Sequence, residues 1–259
     1  MSSRRWLEGR IRIGTLPVDS VDLQGALDAI DDLVREKQGG RVFTPNVDHV
    51  VQAENDSRFR AAYQDVSLSL VDGMPLLWAS RLLKTPLPEK VSGSDLIMPL
   101  MRRAAERGYR IYFLGGAAGA AELAREKLER ELPGLRIVGV DSGRIDVNGA
   151  PEVQRPILDR IDAAKPDLLL VALGAPKQEL WSHEQRAALG SAVAVGVGAS
   201  LDFIAGAQRR APRWMSNSGL EWAYRLAQDP RRLARRYLLR DPQFFGILAK
   251  QMLSPSVPS

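Results

Sequence analysis

Residues 167–173 read Asp-Leu-Leu-Leu-Val-Ala-Leu and stop at Gly174-Ala175-Pro176. A strand with no polar alternation cannot turn one face to water, so both of its faces must be covered. Similarly apolar runs stand at 110–114, 136–140 and 192–197, separated by segments of helical composition. Apolar strands alternating with helices predict an α/β fold, a Rossmann-like parallel sheet covered by helices. The 259 residues, 45% hydrophobic and 26% charged, supply a core of that size without disulfide or metal staples.

The coarse order of elements follows from composition and from helix start and stop residues. A short strand at 42–43 runs into Thr44-Pro45-Asn46, and a helix over 48–64 opens at Asp48. A second strand, 67–71, ends at Asp72-Gly73, and a helix over 94–107 stops at Gly108. The strand 110–114 meets Gly115-Gly116, and the helix 117–132 closes at Pro133-Gly134. Then come strand 136–140, helix 152–164, strand 167–173, helix 177–189 and strand 192–197, which leads into Gly198-Ala199-Ser200. Ligands of such sheets bind outside the carboxyl ends of the strands. Four of those ends carry small or functional residues: Thr44-Pro45-Asn46, Asp72-Gly73, Gly115-Gly116 and Gly174-Ala175-Pro176. The active site is expected at that edge.

Charge divides the chain. Between Arg209 and Arg240 nine arginines face only Glu221 and Asp229, a net +7, whereas the whole chain carries +5. A basic segment on a slightly acidic body implies a polyanionic partner. Composition changes near Gln208, which predicts a core over 1–208 and a helical appendage over 209–259. There is no cysteine, which excludes disulfides and cysteine–zinc sites and is compatible with the cytoplasm. Residues 1–12 are polar and basic and do not read as a signal peptide. The longest apolar stretch, 191–207, is interrupted by Asp202 and is too short to cross a membrane.

Few residues in the body have a chemical reading of their own. Gly115, Gly116 and Gly119 lie between a strand and a helix, where backbone N–H groups can approach a phosphate, although the full dinucleotide fingerprint is absent. Asp72 closes an apolar strand beside a flexible glycine, so its carboxylate can reach a crevice or cap a turn. Asp95 follows Ser94 at a helix start and reads as a cap. His49 and His183, the only histidines, read as structural or solvent-exposed. No Asp-x-Asp pair occurs, so neither a metal nor a cofactor is expected.

Taken together, these segments resemble the WecG/TagA/CpsF glycosyltransferase family. The resemblance rests on Thr44-Pro45-Asn46-Val47-Asp48-His49, Val71-Asp72-Gly73 and Pro88-Glu89-Lys90-Val91-Ser92-Gly93-Ser94-Asp95-Leu96. It continues through Phe113-Leu114-Gly115-Gly116, Gly174-Ala175-Pro176-Lys177-Gln178-Glu179 and Val197-Gly198-Ala199-Ser200-Leu201-Asp202-Phe203. It ends with Arg210-Ala211-Pro212, Gly219-Leu220-Glu221-Trp222 and Arg235-Arg236-Tyr237. Lys90 stands where the family more often has Arg; Lys keeps the charge and loses bidentate geometry.

The resemblance implies an inverting, metal-independent transferase. Such an enzyme passes N-acetylmannosamine, its uronic acid or glucose from UDP to a polyprenyl-diphosphate-linked sugar. It puts the catalytic aspartate at Asp72, with Thr44 and Gln178 beside it, and it implies a Rossmann-like core whose C-terminal appendage completes the site at the membrane. Asn46, Gly115, Gly116, Lys177 and Asp202 are then the expected substrate contacts, Asp202 toward a nucleotide hydroxyl. An Asp titrates ordinarily near about 3.9 and is ionised at neutral pH, ready to take a hydroxyl proton.

In the basic segment, Leu220, Trp222, Ala223, Leu226 and Ala227 recur at roughly helical spacing, and arginines surround Leu233, Tyr237, Leu238 and Leu239. Arginine among Trp, Tyr and Leu is the pattern of a helix lying in a membrane interface. Arg210, Arg213, Arg225, Arg232, Arg235 and Arg236 are the expected grips on an acceptor diphosphate or an anionic membrane, which predicts a cytoplasmic protein peripheral on the inner face. The segment has neither stacking aromatics on a sheet nor a helix-turn-helix pattern, so no nucleic acid is expected. Homo-oligomerisation stays open. The alternative function is a dinucleotide-binding oxidoreductase or a non-catalytic nucleotide-binding protein, with Asp141 closing the next strand to hold a ribose.

Overall fold

The computed structural model describes residues 5–143, 145–146 and 151–253. A hairpin of β1 (Ile11–Ile13) and β2 (Leu16–Val18) leads into α1 (Leu23–Glu36). The body then alternates β3 (Gly40–Phe43), α2 (Val47–Asn55), α3 (Ser57–Gln64), β4 (Leu68–Ser69), α4 (Met74–Leu82), α5 (Gly93–Arg107), β5 (Arg110–Gly115) and α6 (Ala120–Glu131). It continues with β6 (Arg136–Asp141), α7 (Pro151–Ala164), β7 (Leu168–Ala172), α8 (Lys177–Glu184), β8 (Val193–Gly196) and α9 (Ser200–Ala205). The basic segment forms α10 (Arg213–Asn217), α11 (Glu221–Gln228), α12 (Pro230–Arg235), a π-helical turn (Arg236–Arg240) and α13 (Gln243–Leu253).

Strands β3 to β8 form one sheet in the order β4-β3-β8-β7-β5-β6, every pairing parallel. The apolar run that demanded two covered faces is β7, in the interior between β5 and β8, with all its residues buried. Alternate residues feed opposite layers. Leu168 and Leu170 join Ile30, Leu33, Leu100 and Leu128 under α1, α5 and α6. Leu169 and Val171 join Trp181 and Ile161 under α8 and α7. A third cluster gathers the hairpin's Ile13 and Leu16, Phe43 of β3, Val50 and Phe59 of α2 and α3, and Phe244 and Leu248 of α13.

Local chemistry accounts for the departures from the expected elements. The helix expected over 48–64 divides at Asp56, whose backbone is extended and whose carboxylate accepts from the amides of Arg58 and Phe59. An Asp side chain that satisfies the amides of a new first turn competes with continuing the old helix. The strand expected over 67–71 keeps only Leu68 and Ser69 in ladder geometry, though the Leu70 amide still bonds Phe43 O. The helix expected to reach 189 ends at Glu184. The hairpin, α1 and α4 were not foreseen, although α1 has an Asp22 cap and buries Leu27, Ile30, Leu33 and Val34 at helical spacing.

Candidate active site

Asp72 is held where strand gives way to helix. Its amide donates to Pro45 O at 2.8 Å, extending the β3–β4 pairing past the strand ends, and the next amide bond of that path runs from Val91 to Val71 O. Gly73 then takes φ 101° to start α4, a conformation only glycine adopts freely, with Pro75 in the first turn. The carboxyl of Asp72 thus lies on the wall of a cleft of about 350 Å³ between the strand ends and the C-terminal helices. Asn46, Glu221, Arg225, Arg236 and Tyr237 share its walls with the apolar groups of Met74, Trp222 and Phe245. Among the described residues none donates a hydrogen bond to the Asp72 carboxylate.

Two carboxyls of the cleft, Asp72 and Glu221, are driven apart. Burial pushes Asp72 above the ordinary carboxylate value and the charge of Glu221 adds to it, against the pull of Arg225, Lys90 and His49. For Glu221 burial also favours the neutral acid, but Arg225, a Ser216 hydroxyl and Lys90 outweigh it and hold the group below its usual value. Arg225 pairs with Glu221 at 2.6 Å, one turn away on α11, and Ser216 donates to it at 2.7 Å. The environments of the two acids thus shift their titration in opposite directions. Asp241, also on the cleft wall, is raised to about 6 by burial against the attraction of Arg236.

A hydrogen-bonded chain runs behind the cleft. Asn46 caps α2, with its amide 3.1 Å from His49 Nδ1. The other nitrogen of that ring lies 3.3 Å from Glu179 Oε1, which also accepts from Gln178 Nε2 at 2.8 Å. Gln178 Oε1 in turn accepts from the Gly198 amide at 3.1 Å. A side-chain carbon on Gly196 would stand 2.9 Å from the Gln178 amide nitrogen, so the glycine of β8 makes the room. Gln178 is buried with its amide group engaged at both ends, and Thr44 is buried at the end of β3. His49 is buried, with both ring nitrogens placed within this chain of contacts.

The other expected contacts lie elsewhere on the same edge. The Gly116 amide donates to Ala172 O and the Ala117 amide to Asp202 Oδ1, both at 2.8 Å, so these donors hold the Gly115-Gly116 turn. Asp202 is buried and also receives Gln208 Nε2 at 3.4 Å. Lys177 is exposed at the start of α8. Asp141, the ribose candidate of the alternative function, is occupied by the Tyr112 hydroxyl at 2.6 Å and by Arg160 at 2.7 Å. Asp95 caps α5 as expected, and it also binds Lys90 and Arg210, which hold it down to about 2 despite its burial.

The basic segment sorts its arginines. Arg225 and Arg236 line the cleft. Arg236 reaches Asn46 Oδ1 at 3.1 Å and Asp48 at 3.3 Å, and Arg240 reaches the buried Asp48 at 2.5 Å. Arg210 is drawn away to Asp95 and to Ser94 O at 3.2 Å. Arg235 is exposed, and the side chains of Arg213 and Arg232 lie outside the described residues. The sequence reading missed Tyr237, Asp241 and Asp48 as site groups, and it did not single out Glu221. A Glu four residues before an Arg in an otherwise basic stretch was the available signal. Among the described residues no helix is long and apolar enough to cross a membrane.

Two relatives are similar along most of their length. One is an N-acetylglucosaminyldiphosphoundecaprenol N-acetyl-beta-D-mannosaminyltransferase of Bacillus spizizenii, 31% identical over 86% of this chain and 84% of the relative. Another of the same description, from Bacillus subtilis, is 29% identical over 92% of this chain and 91% of its own. The model of the glycosyl transferase WecG/TagA/CpsF family matches residues 11–257, which takes in both the sheet-edge and the C-terminal walls of the cleft, and the chain belongs to that family.

Proposed function

We propose that this chain transfers an N-acetylmannosamine-type hexose, or glucose, from a UDP-sugar to a polyprenyl-diphosphate-linked sugar in cell-surface polysaccharide synthesis, with inversion and without a metal. The observation that carries the reading is the Asp72 carboxyl on the wall of a cleft whose walls also present Arg225 and Arg236. Asp72 takes the proton of the acceptor hydroxyl as that oxygen attacks the anomeric carbon, and the bond to UDP breaks on the far side. A carboxyl raised above its usual value is a stronger base than an ordinary Asp.

The departing diphosphate develops negative charge that needs a fixed counter-charge. Arg225 and Arg236, with Arg213 of α10 and Arg232 and Arg235 of α12, supply it to donor or acceptor diphosphate. Thr44, Asn46 and Gln178 orient the sugars. Gly115, Gly116, Lys177 and Asp202 serve the nucleotide end. The relatives' printed acceptor, an N-acetylglucosamine on undecaprenyl diphosphate, supports a lipid-borne acceptor here. The exposed Trp214, Leu238, Leu239 and Phe245 support seating of this face on an anionic membrane, with the exposed Arg235 nearby in the chain. Residues 209–259 act as the membrane and acceptor appendage to a nucleotide-binding core over 1–208.

The deciding experiment offers a panel of UDP-sugars with a lipid-diphosphate N-acetylglucosamine acceptor and weighs the product by mass spectrometry. A product heavier by one N-acetylhexosamine, formed from UDP-N-acetylmannosamine and undiminished by EDTA, is expected. Activity lost to EDTA and restored by Mg²⁺ or Mn²⁺ overturns the metal-free mechanism, and no sugar transfer with any donor overturns the reading itself.

A further inference from the structure

At the opposite, amino-terminal edge of the sheet a second cleft of about 280 Å³ opens between the starts of β3 and β8 and the end of α3. It is far larger than the roughly 30 Å³ share of one water. Arg41 and Arg186 line it, and Asp65 is the one carboxylate among its lining residues. Asp65 is already claimed. Its Oδ2 lies 2.8 Å from Arg41 Nη2, 3.6 Å from Arg186 Nε and 3.6 Å from His183 Nδ1.

Two guanidiniums sharing one carboxylate leave positive charge uncompensated. Burial disfavours the charged form of Arg41, Asp65 supports it, and the neighbouring charge of Arg186 opposes it again. Buried donors are also left over. Arg41 Nε and the hydroxyl of the fully buried Ser182 have no hydrogen-bond partner. A guanidinium N–H can only donate, so it calls for an acceptor, and the surplus charge calls for that acceptor to be anionic. Buried polar groups are otherwise nearly always paired.

We infer that this cleft is an anion site for a phosphate or diphosphate group, held by Arg41, Arg186 and the Ser182 hydroxyl. It is separate from the catalytic cleft. The two clefts share no lining residue, with Arg41 at the start of β3 in one and Asn46, beyond the end of β3, in the other. The site does not depend on which sugar is transferred, or on whether sugar is transferred at all.

The test titrates inorganic phosphate, and separately inorganic diphosphate, into the full-length ¹⁵N-labelled protein, with chloride at matched ionic strength as the reference. Saturable amide shifts at Gly39, Gly190 and Ala192 are expected. Saturation by phosphate alone, by diphosphate alone or by both each supports the site and selects its ligand. Arg186→Gln, at a half-exposed position where folding is safe, should weaken the binding about tenfold, and Ser182→Ala several-fold. Arg225→Gln in the other cleft should leave it unchanged. Equal shifts with chloride, shifts confined to the catalytic cleft, or full affinity in both cleft variants would overturn the assignment.

Discussion

Asp72 and Arg236 face the same cleft, yet the walls that carry them are held by different forces. The Asp72 wall is sheet: its position follows from its backbone bond to Pro45 and from the Val91 bond to Val71 O. The Arg236 wall is helical, and α11 buries none of its residues. That wall is tied down by the ion pairs of Arg236 and Arg240 with Asp48 and by Phe244 and Leu248 of α13 in the third core cluster. Hydrogen bonds inside a sheet barely respond to salt, whereas partly exposed ion pairs are screened by it. The proposed base is therefore held by sheet hydrogen bonds, and the proposed diphosphate-binding charge sits on the wall that ionic conditions can loosen.

Cutting the chain after Gln208 separates the two walls and should have the largest effect. Transfer to a lipid-linked acceptor and flotation with anionic liposomes should both be lost, while the remaining core still binds UDP. Its thermal midpoint should fall, because Ile13, Leu16 and Val50 lose the cover of Phe244 and Leu248. Equal flotation of the cut and full-length proteins at low salt removes the membrane role from the helical wall.

Within the sheet wall, Asp72→Asn should lower turnover by about 10²–10⁴ with UDP affinity nearly unchanged. In the wild type the acid limb of the turnover profile should lie above 3.8, since burial and Glu221 both raise this carboxyl. A variant retaining more than about half of the turnover shows that the base is another group.

Asp48→Asn tests the seam between the walls. It removes a buried charge on which two arginines converge and should cost about 1–3 kcal/mol in urea denaturation. Lipid-acceptor activity should fall more than UDP binding does. If both change equally, Asp48 supports the fold at large rather than the helical wall.

The smallest effect is expected at Asp95, where Lys90 and Arg210 join the sheet body to the start of the basic segment. Its carboxyl is lowered from 3.8 to about 2. A depressed acid stabilises the fold above its unfolded value and loses that contribution as pH falls from about 4 toward 2. Asp95→Asn should thus be less stable at pH 7 by about 1–2 kcal/mol, partial exposure included, and the two proteins should converge near pH 2. A difference independent of pH assigns the effect to the helix cap alone.

Much of the sheet body was legible because its signals are local. The apolar run of β7, the Gly108 stop and the capping Asp95 each act through residues a few positions apart. The break at Asp56 was not read, because an Asp suits a helix start as readily as a helix interior's solvent face, and only the cap bonds distinguish them. The short β1–β2 hairpin was missed for a related reason. Its strands are three residues each, and their burial comes from α3, α4 and α13 rather than from any alternation of their own.

The sequence by itself determined the α/β class, and it pointed to one edge of the sheet for the candidate site, with Asp72, Asn46 and the arginine-rich helices as its candidate parts. Those follow from periodicity, from strand-end residues and from charge density, which need no knowledge of distant neighbours. Tertiary structure alone decided the sorting of the arginines. Arg236 meets Asn46 across 190 positions of sequence, Arg210 meets Asp95 across 115, and Arg225 lines the same cleft as Asp72. A guanidinium extends several ångströms in any direction and pairs with whichever carboxylate the fold brings within reach. Its partner is thus a property of the packed chain, and no local pattern records it.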